Sequence, residues 1–171
     1  LGTRYPGTEG YYKAADYIIS KLKEYGVEPI VEKFEQTVFV DVGSNVTLVF
    51  GDGSTRVVEA LTIGTRGVET CATPKEGISG ELVYAGYLRE EDLAGKDFRG
   101  KVALVEFNVG RSWIRLVSMG AKAIVFIEPE KYTLRETATK DFLYLPIDVP
   151  RVVIPKEEGE ELRRRLEGGE R

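Results

Sequence analysis

The segment from Phe98 to Pro129 constrains this chain most, because it reads as two buried strands joined by a short helix. Gly100-Lys101-Val102-Ala103-Leu104-Val105 is an apolar run behind a glycine, the pattern of a strand covered on both faces. Between Arg111 and Met119, Trp113, Leu116 and Val117 recur at helical spacing, and Gly120-Ala121 closes that helix. Ala123-Ile124-Val125-Phe126-Ile127 is a second buried strand, stopped by Pro129. A strand, a helix and a strand in this order form a βαβ unit, so the chain belongs to the α/β class.

Other elements frame this unit. Thr8 is suited to cap a helix in which Tyr11, Ala14, Ala15, Ile18, Leu22 and Tyr25 recur at helical spacing, with Gly26 just past its end. Ile30 to Val42 is rich in strand formers with imperfect alternation, which predicts an exposed or edge strand. Val46–Phe50 and Arg56–Ile63 flank Gly51-Asp52-Gly53-Ser54, a strong hairpin signal. Residues 64–80 are rich in turn formers, and Leu88–Ala94 is a candidate short helix. From Glu128 to Pro150 no period emerges, and the stretch is longer than most loops in compact domains.

The order of these pieces resembles a known module. Gly80-Glu81-Leu82-Val83-Tyr84-Ala85-Gly86, then Asp92-Leu93, then Asp97-Phe98-Arg99-Gly100-Lys101 precede the βαβ unit. Val149-Pro150-Arg151-Val152-Val153-Ile154 follows it and runs into Glu158-Gly159 and Leu162. Over 78–166 this resembles a protease-associated (PA) domain, a non-catalytic module found inside or beside peptidases. A second resemblance lies at the N-terminus. Arg4, Gly7-Thr8-Glu9-Gly10, Ala14-Ala15-Asp16-Tyr17-Ile18 and Gly26 look like the opening of an M28-family zinc aminopeptidase, into which a PA domain can be inserted. The chain starts on Leu rather than Met, as a piece of a longer protein would, and the catalytic part is expected beyond Arg171.

The composition narrows the chemistry. The 171 residues hold 24 Lys and Arg against 28 Asp and Glu, a formal net charge of −4, so nothing argues for nucleic acid. Arg163-Arg164-Arg165 closes a helix that opens on Glu157, Glu158, Glu160 and Glu161, an order the helix dipole favours, and reads as a solvated face. No apolar run approaches the roughly 20 residues that span a bilayer. Cys71 is alone, so no internal disulfide can form, and with no His in the chain nothing of that kind could activate its thiol. Gln is confined to Gln36 and Asn to Asn45 and Asn108, amid abundant Glu, Lys and Arg, a skew typical of thermophilic sources.

Catalytic machinery is missing. Zinc aminopeptidases of the M28 type use histidine and carboxylate ligands with a glutamate base, and this chain has no His. The matched motifs carry no metal ligand, so no catalytic, cofactor or metal residue transfers to it. A serine triad fails for want of a base, and no nucleophile elbow or phosphate-binding loop occurs. Gly51-Asp52-Gly53 lacks the spaced carboxylates of a calcium loop, and Glu90-Glu91-Asp92 reads as surface charge. Asn45-Val46-Thr47 is a glycosylation sequon by pattern alone.

The expectation is therefore an α/β, PA-domain-like sheet or open barrel flanked by short helices, with an N-terminal helix and strand. Residues 1–42 would be the start of a peptidase and 43–171 the PA domain. The main sheet would hold strands at Ile78–Tyr87, Lys101–Phe107, Ala123–Ile127 and Arg151–Ile154, with a helix at Ser112–Met119 packed on it. The resemblance implies a domain that shapes or covers the peptidase cleft and aids peptide selection. Its partners would be a peptide substrate and the catalytic domain, with zinc held there. Within the chain, 128–150 is the candidate for recognition, with Tyr132, Phe142 and Tyr144 facing substrate and Leu143 beside them. The first helix should present an uncovered apolar face at Ala15, Ile18 and Leu22, closed by a partner or by homodimerisation. The alternative is a free-standing PA-type binding module, against which the peptidase-like opening argues.

Overall fold

A computed structural model describes residues 3–36, 38, 42–63, 72–141 and 147–169. It divides into two compact units, Leu1–Val40 and Asp41–Arg171. In the first, helix α1 (Glu9–Glu24) starts where the Thr8 side chain accepts the Tyr11 N–H, and it ends at Tyr25 ahead of Gly26, whose φ is +78°. None of its residues is buried; Ile18 is 57% exposed. The strand expected at Ile30–Val42 is not formed among the described residues of that stretch. Ile30, Val31 and Phe34 are exposed there, so β propensity has no neighbouring strand or core to act against.

The second unit holds a six-stranded sheet curled into a half-barrel. Its elements are β1 (Ser44–Val49), β2 (Thr55–Thr62), β3 (Leu82–Tyr84), α2 (Glu90–Leu93), β4 (Val102–Glu106), α3 (Ile114–Ser118), β5 (Ala123–Ile127), α4 (Leu134–Asp141), β6 (Arg151–Ile154) and α5 (Lys156–Glu167). The strand order is β1-β2-β6-β5-β4-β3. β3, β4, β5 and β6 run parallel, and the β1–β2 hairpin adds antiparallel through Leu61↔Val153 and Thr62↔Val152. β3 is shorter than the expected Ile78–Tyr87, because only Leu82–Tyr84 pairs in register with β4.

Apolar residues on both faces of the parallel strands explain the two cores. Ala103, Val105, Ile124 and Phe126 face Trp113 and Leu116 on one side, while Leu104, Val125 and Ile127 face Leu162 of α5 on the other. α5 also lies against β5 through Gly159, where a Cβ would come within 2.6 Å of Ile127. The hairpin is fastened to α5 by charge: Arg56 reaches Glu158 at 2.8 Å and holds both Glu161 oxygens at 2.8 and 2.9 Å. The guanidinium groups of Arg56 and Arg165 both lie over the Phe50 ring, at 5.2 and 4.6 Å from its centre.

Two expectations change here. The 128–150 stretch is not one long loop, since α4 occupies Leu134–Asp141. The Arg163-Arg164-Arg165 run is not uniformly solvated, because Arg163 bonds to Glu106 and Arg165 to Glu161, leaving only Arg164 exposed.

Candidate functional site

Parallel strands end together, and the loops that leave their carboxyl ends commonly frame binding sites in open α/β sheets. Here β3, β4 and β5 deliver Tyr87, Glu106 with Phe107, and Glu128 to one crevice of about 280 Å³, which α5 closes with Lys156 and Arg163. The turn after β3 is fixed by Asp92, whose carboxylate accepts the Tyr87 and Arg89 N–H groups at 2.9 and 3.1 Å. Gly86 in that turn has φ +56°, and a Cβ there would come within 2.5 Å of Asp92.

The floor of the crevice is a hydrogen-bonded charge pair. Glu106, the last residue of β4, accepts from the Tyr84 hydroxyl at 2.7 Å and from Arg163 at 3.2 Å. Burial and then the Glu106 carboxylate push the Tyr84 hydroxyl well above its ordinary value, so it stays a donor. At the rim, Lys156 binds Glu130 at 2.8 Å, which raises the lysine and lowers the carboxyl. Tyr132 donates to Glu128 at 3.3 Å and stands edge-on to Phe107, with ring centroids 5.1 Å apart. Burial and then Glu128 push its hydroxyl up to about 12.

α4 is tied to the sheet beneath this wall. Lys140 is 1% exposed, binds Glu136 at 2.8 Å, and lies 4.3 Å over the Phe107 ring centre. Glu136 also accepts the Gly110 N–H at 2.9 Å. Burial raises the Glu136 carboxyl, but the bonds from Lys140 and Gly110 outweigh it and hold the group below its ordinary value. The Trp113 indole N–H donates to the Thr139 carbonyl at 3.2 Å.

The crevice can bind and orient; it has no nucleophile paired with a base. Among the described residues no group of three or more His, Cys, Asp or Glu could hold a metal ion, and with no His in the chain the residues present do not fit the zinc site of an M28 peptidase. Of the expected substrate-facing residues, Tyr132 does not line the crevice but stands beside it, half exposed, against the lining residues Glu128 and Phe107. Phe142, Leu143 and Tyr144 lie outside the described residues, as does Cys71. Reading the sequence missed Glu106, Glu128, Lys156 and Arg163. Their signal was position: Glu106 ends β4, Glu128 follows β5, and Lys156 opens α5.

The family profile described as "PA domain" matches residues 78–162. The whole chain is similar to solved peptidase structures. It is 29% identical to an aminopeptidase from Aneurinibacillus sp. strain AM-1, with a TM-score of 0.59, covering 99% of this chain and 38% of that one. It also shares the fold of a peptidase M28 precursor from Shewanella amazonensis SB2B at 16% identity and a TM-score of 0.50, covering 99% of this chain and 41% of that one. The chain thus spans about two fifths of the length of these structures. No curated protein sequence matches it. No helix among the described residues is long and apolar enough to cross a membrane.

Proposed function

Residues 78–162 are a PA domain of the kind M28-family peptidases carry, and from that premise we propose that this chain is the non-catalytic, substrate-selecting part of a zinc-dependent aminopeptidase. Residues 1–42 are the start of the catalytic domain and 43–171 the PA domain. The metal, its ligands and the glutamate base belong to the rest of the parent, where zinc would polarise the scissile carbonyl and activate water. This chain's task is to shape the cleft and bind part of an extended peptide.

One observation carries the reading: the carboxyl ends of β3, β4 and β5 hold a preformed crevice lined by Phe107 and the Glu106–Arg163 pair, with Tyr132 packed edge-on against Phe107 beside it. Its hydrogen bonds are already made, so a peptide would meet fixed donors and acceptors at little ordering cost. In this reading Tyr132, Phe142 and Tyr144 contact the peptide, and Tyr132 does so next to a scaffold that Lys140 and Trp113 keep rigid. The uncovered Ile18 side of α1 is the surface the catalytic part covers.

The test uses the parent peptidase. Tyr132→Ala combined with Phe142→Ala and Tyr144→Ala should change kcat/KM for long peptides relative to short ones and leave a minimal aminoacyl substrate near normal. A parallel fall for all substrates, together with a lowered melting temperature, would show that these rings only hold the segment in place. The chain by itself should turn over no aminoacyl chromogenic substrate. Chelator-sensitive activity that survives repurification would overturn the assignment.

A further inference from the structure

The two edges of the sheet are built differently. β3, at one edge, has three residues and is followed directly by the Gly86 turn. It is also flanked by the Lys101–Glu81 ion pair, at 3.0 Å. Short strands beside charge are the usual protection against pairing with another chain. β1, at the other edge, has six residues, Ser44-Asn45-Val46-Thr47-Leu48-Val49, without a charge or a proline. Its register with β2 runs from Ser44↔Ala60 to Val49↔Thr55 without a bulge. Among the described residues, β2 is the one strand it pairs with. Beside this edge the outer face of the hairpin is mixed: Val49, Val57 and Leu61 are 72, 66 and 62% exposed, among Asn45, Thr47, Thr55 and Glu59.

We propose that β1 pairs antiparallel with β1 of a second copy of this chain, extending the sheet across a two-fold axis. Opposed residues in a ladder must point to the same face, so the axis must pass through a residue and not between two. Asn45, Thr47 and Val49 face outward, while Val46 and Leu48 belong to the inner core. An axis at Thr47 sets Thr47 against Thr47 of the second copy, Val46 against Leu48, and Asn45 against Val49. Within the paired strands the inner contacts are then apolar on apolar, Ser44 falling opposite Phe50 past the strand end, and the central outer contact is a threonine pair, a favourable cross-strand combination. An axis at Val46 would instead set Ser44 against Leu48. The chain carries a net charge of −4, but the pairing strand carries none, so self-association meets no like charge in the ladder. An unrelated peptide strand would have to supply this neutrality and this apolar phase; β1 already has both.

The experiment uses the full chain with Cys71→Ser as background. Thr47→Cys should oxidise to a covalent dimer, because the two thiols face each other at the axis. Val49→Cys should not, because each thiol then faces Asn45 of the second copy. In sedimentation, Thr47→Lys should weaken the dimer at least about tenfold, since it opposes two charges at the axis. Ile18→Glu on α1 should leave the dimer unchanged. A monomeric wild type at millimolar concentration would overturn the proposal. So would a Thr47→Lys chain, shown folded by circular dichroism, that dimerises like wild type. Equal cross-linking from Val49→Cys and Thr47→Cys, or loss of the dimer in Ile18→Glu, would overturn it as well.

Discussion

Helices α1 and α5 differ in what they bury, and in the opposite sense to their apolar content. α1 carries Ala14, Ala15, Ile18 and Leu22 and buries none of its residues. α5 is mostly charged, yet Gly159 and Leu162 are buried. The cause is the alignment of a few positions: Gly159 lets the helix backbone approach Ile127, and Leu162 and Leu166 follow on the same stripe. The acids and arginines around the stripe then find partners on the hairpin and on β4, as Glu161 does with Arg56 and Arg163 with Glu106. A charged helix therefore became part of the core, while the more apolar one buries none of its residues.

Substitutions on the two helices can break this comparison. Leu162→Ala should cost about 2–5 kcal/mol by opening a cavity against β5, whereas Ile18→Ala should change stability by less than about 0.5 kcal/mol. Urea unfolding of both variants measures the contrast, and equal losses would erase it. Gly159→Val should cost about 1–3 kcal/mol by overpacking against Ile127, despite relieving the helix of a glycine. A neutral Gly159→Val would mean that α5 shifts freely on the sheet.

A pH series sharpens the point on the charged side. Hydrogen bonds from Arg56, against a smaller desolvation, hold the Glu161 carboxyl down to about 2 from an ordinary 4.5. Between those values the unfolded chain binds more protons than the folded one. The contribution of the pair is therefore complete above pH 4.5 and is lost as pH falls toward 2. Thermal melts should show wild type above Arg56→Gln near neutral pH, with the gap closing as the solution is acidified. A gap that holds constant with pH would assign the effect of Arg56 to its stacking on Phe50 instead. The smallest effect belongs to α1. Thr8→Ala should remove a cap worth about 0.5–2 kcal/mol to that helix, seen as faster amide exchange over Glu9–Tyr12 with little change in the main unfolding transition.

Much of the fold was legible because it rests on local pattern. The α1 cap, the hairpin about Gly51-Asp52-Gly53-Ser54, and β5 at Ala123–Ile127 follow from residue types a few positions apart. α4 was not legible: its fixed points are the Gly110 N–H on Glu136 and the Trp113 indole on Thr139, each 26 residues away in sequence. Among the described residues of Ile30–Val42 the expected strand does not form, for the converse reason. Its residues favour β structure, but a strand forms only where a neighbouring strand accepts its backbone bonds.

The site divides along the same line. Tyr132 could be picked out as an aromatic in an aperiodic stretch, but nothing near Glu106 in sequence announces Arg163, 57 residues on. The sequence by itself determined the α/β class, the ordered PA-domain pattern and the absence of histidine, because each is a property of residue types and short spacings. Only the tertiary structure decided that the ends of β3, β4 and β5 and one face of α5 converge on a single crevice. Only there does burial turn Tyr84, Glu106 and Arg163 from scattered polar residues into one bonded group, since such pairs gain strength only where water is displaced and distances are fixed by the packed sheet.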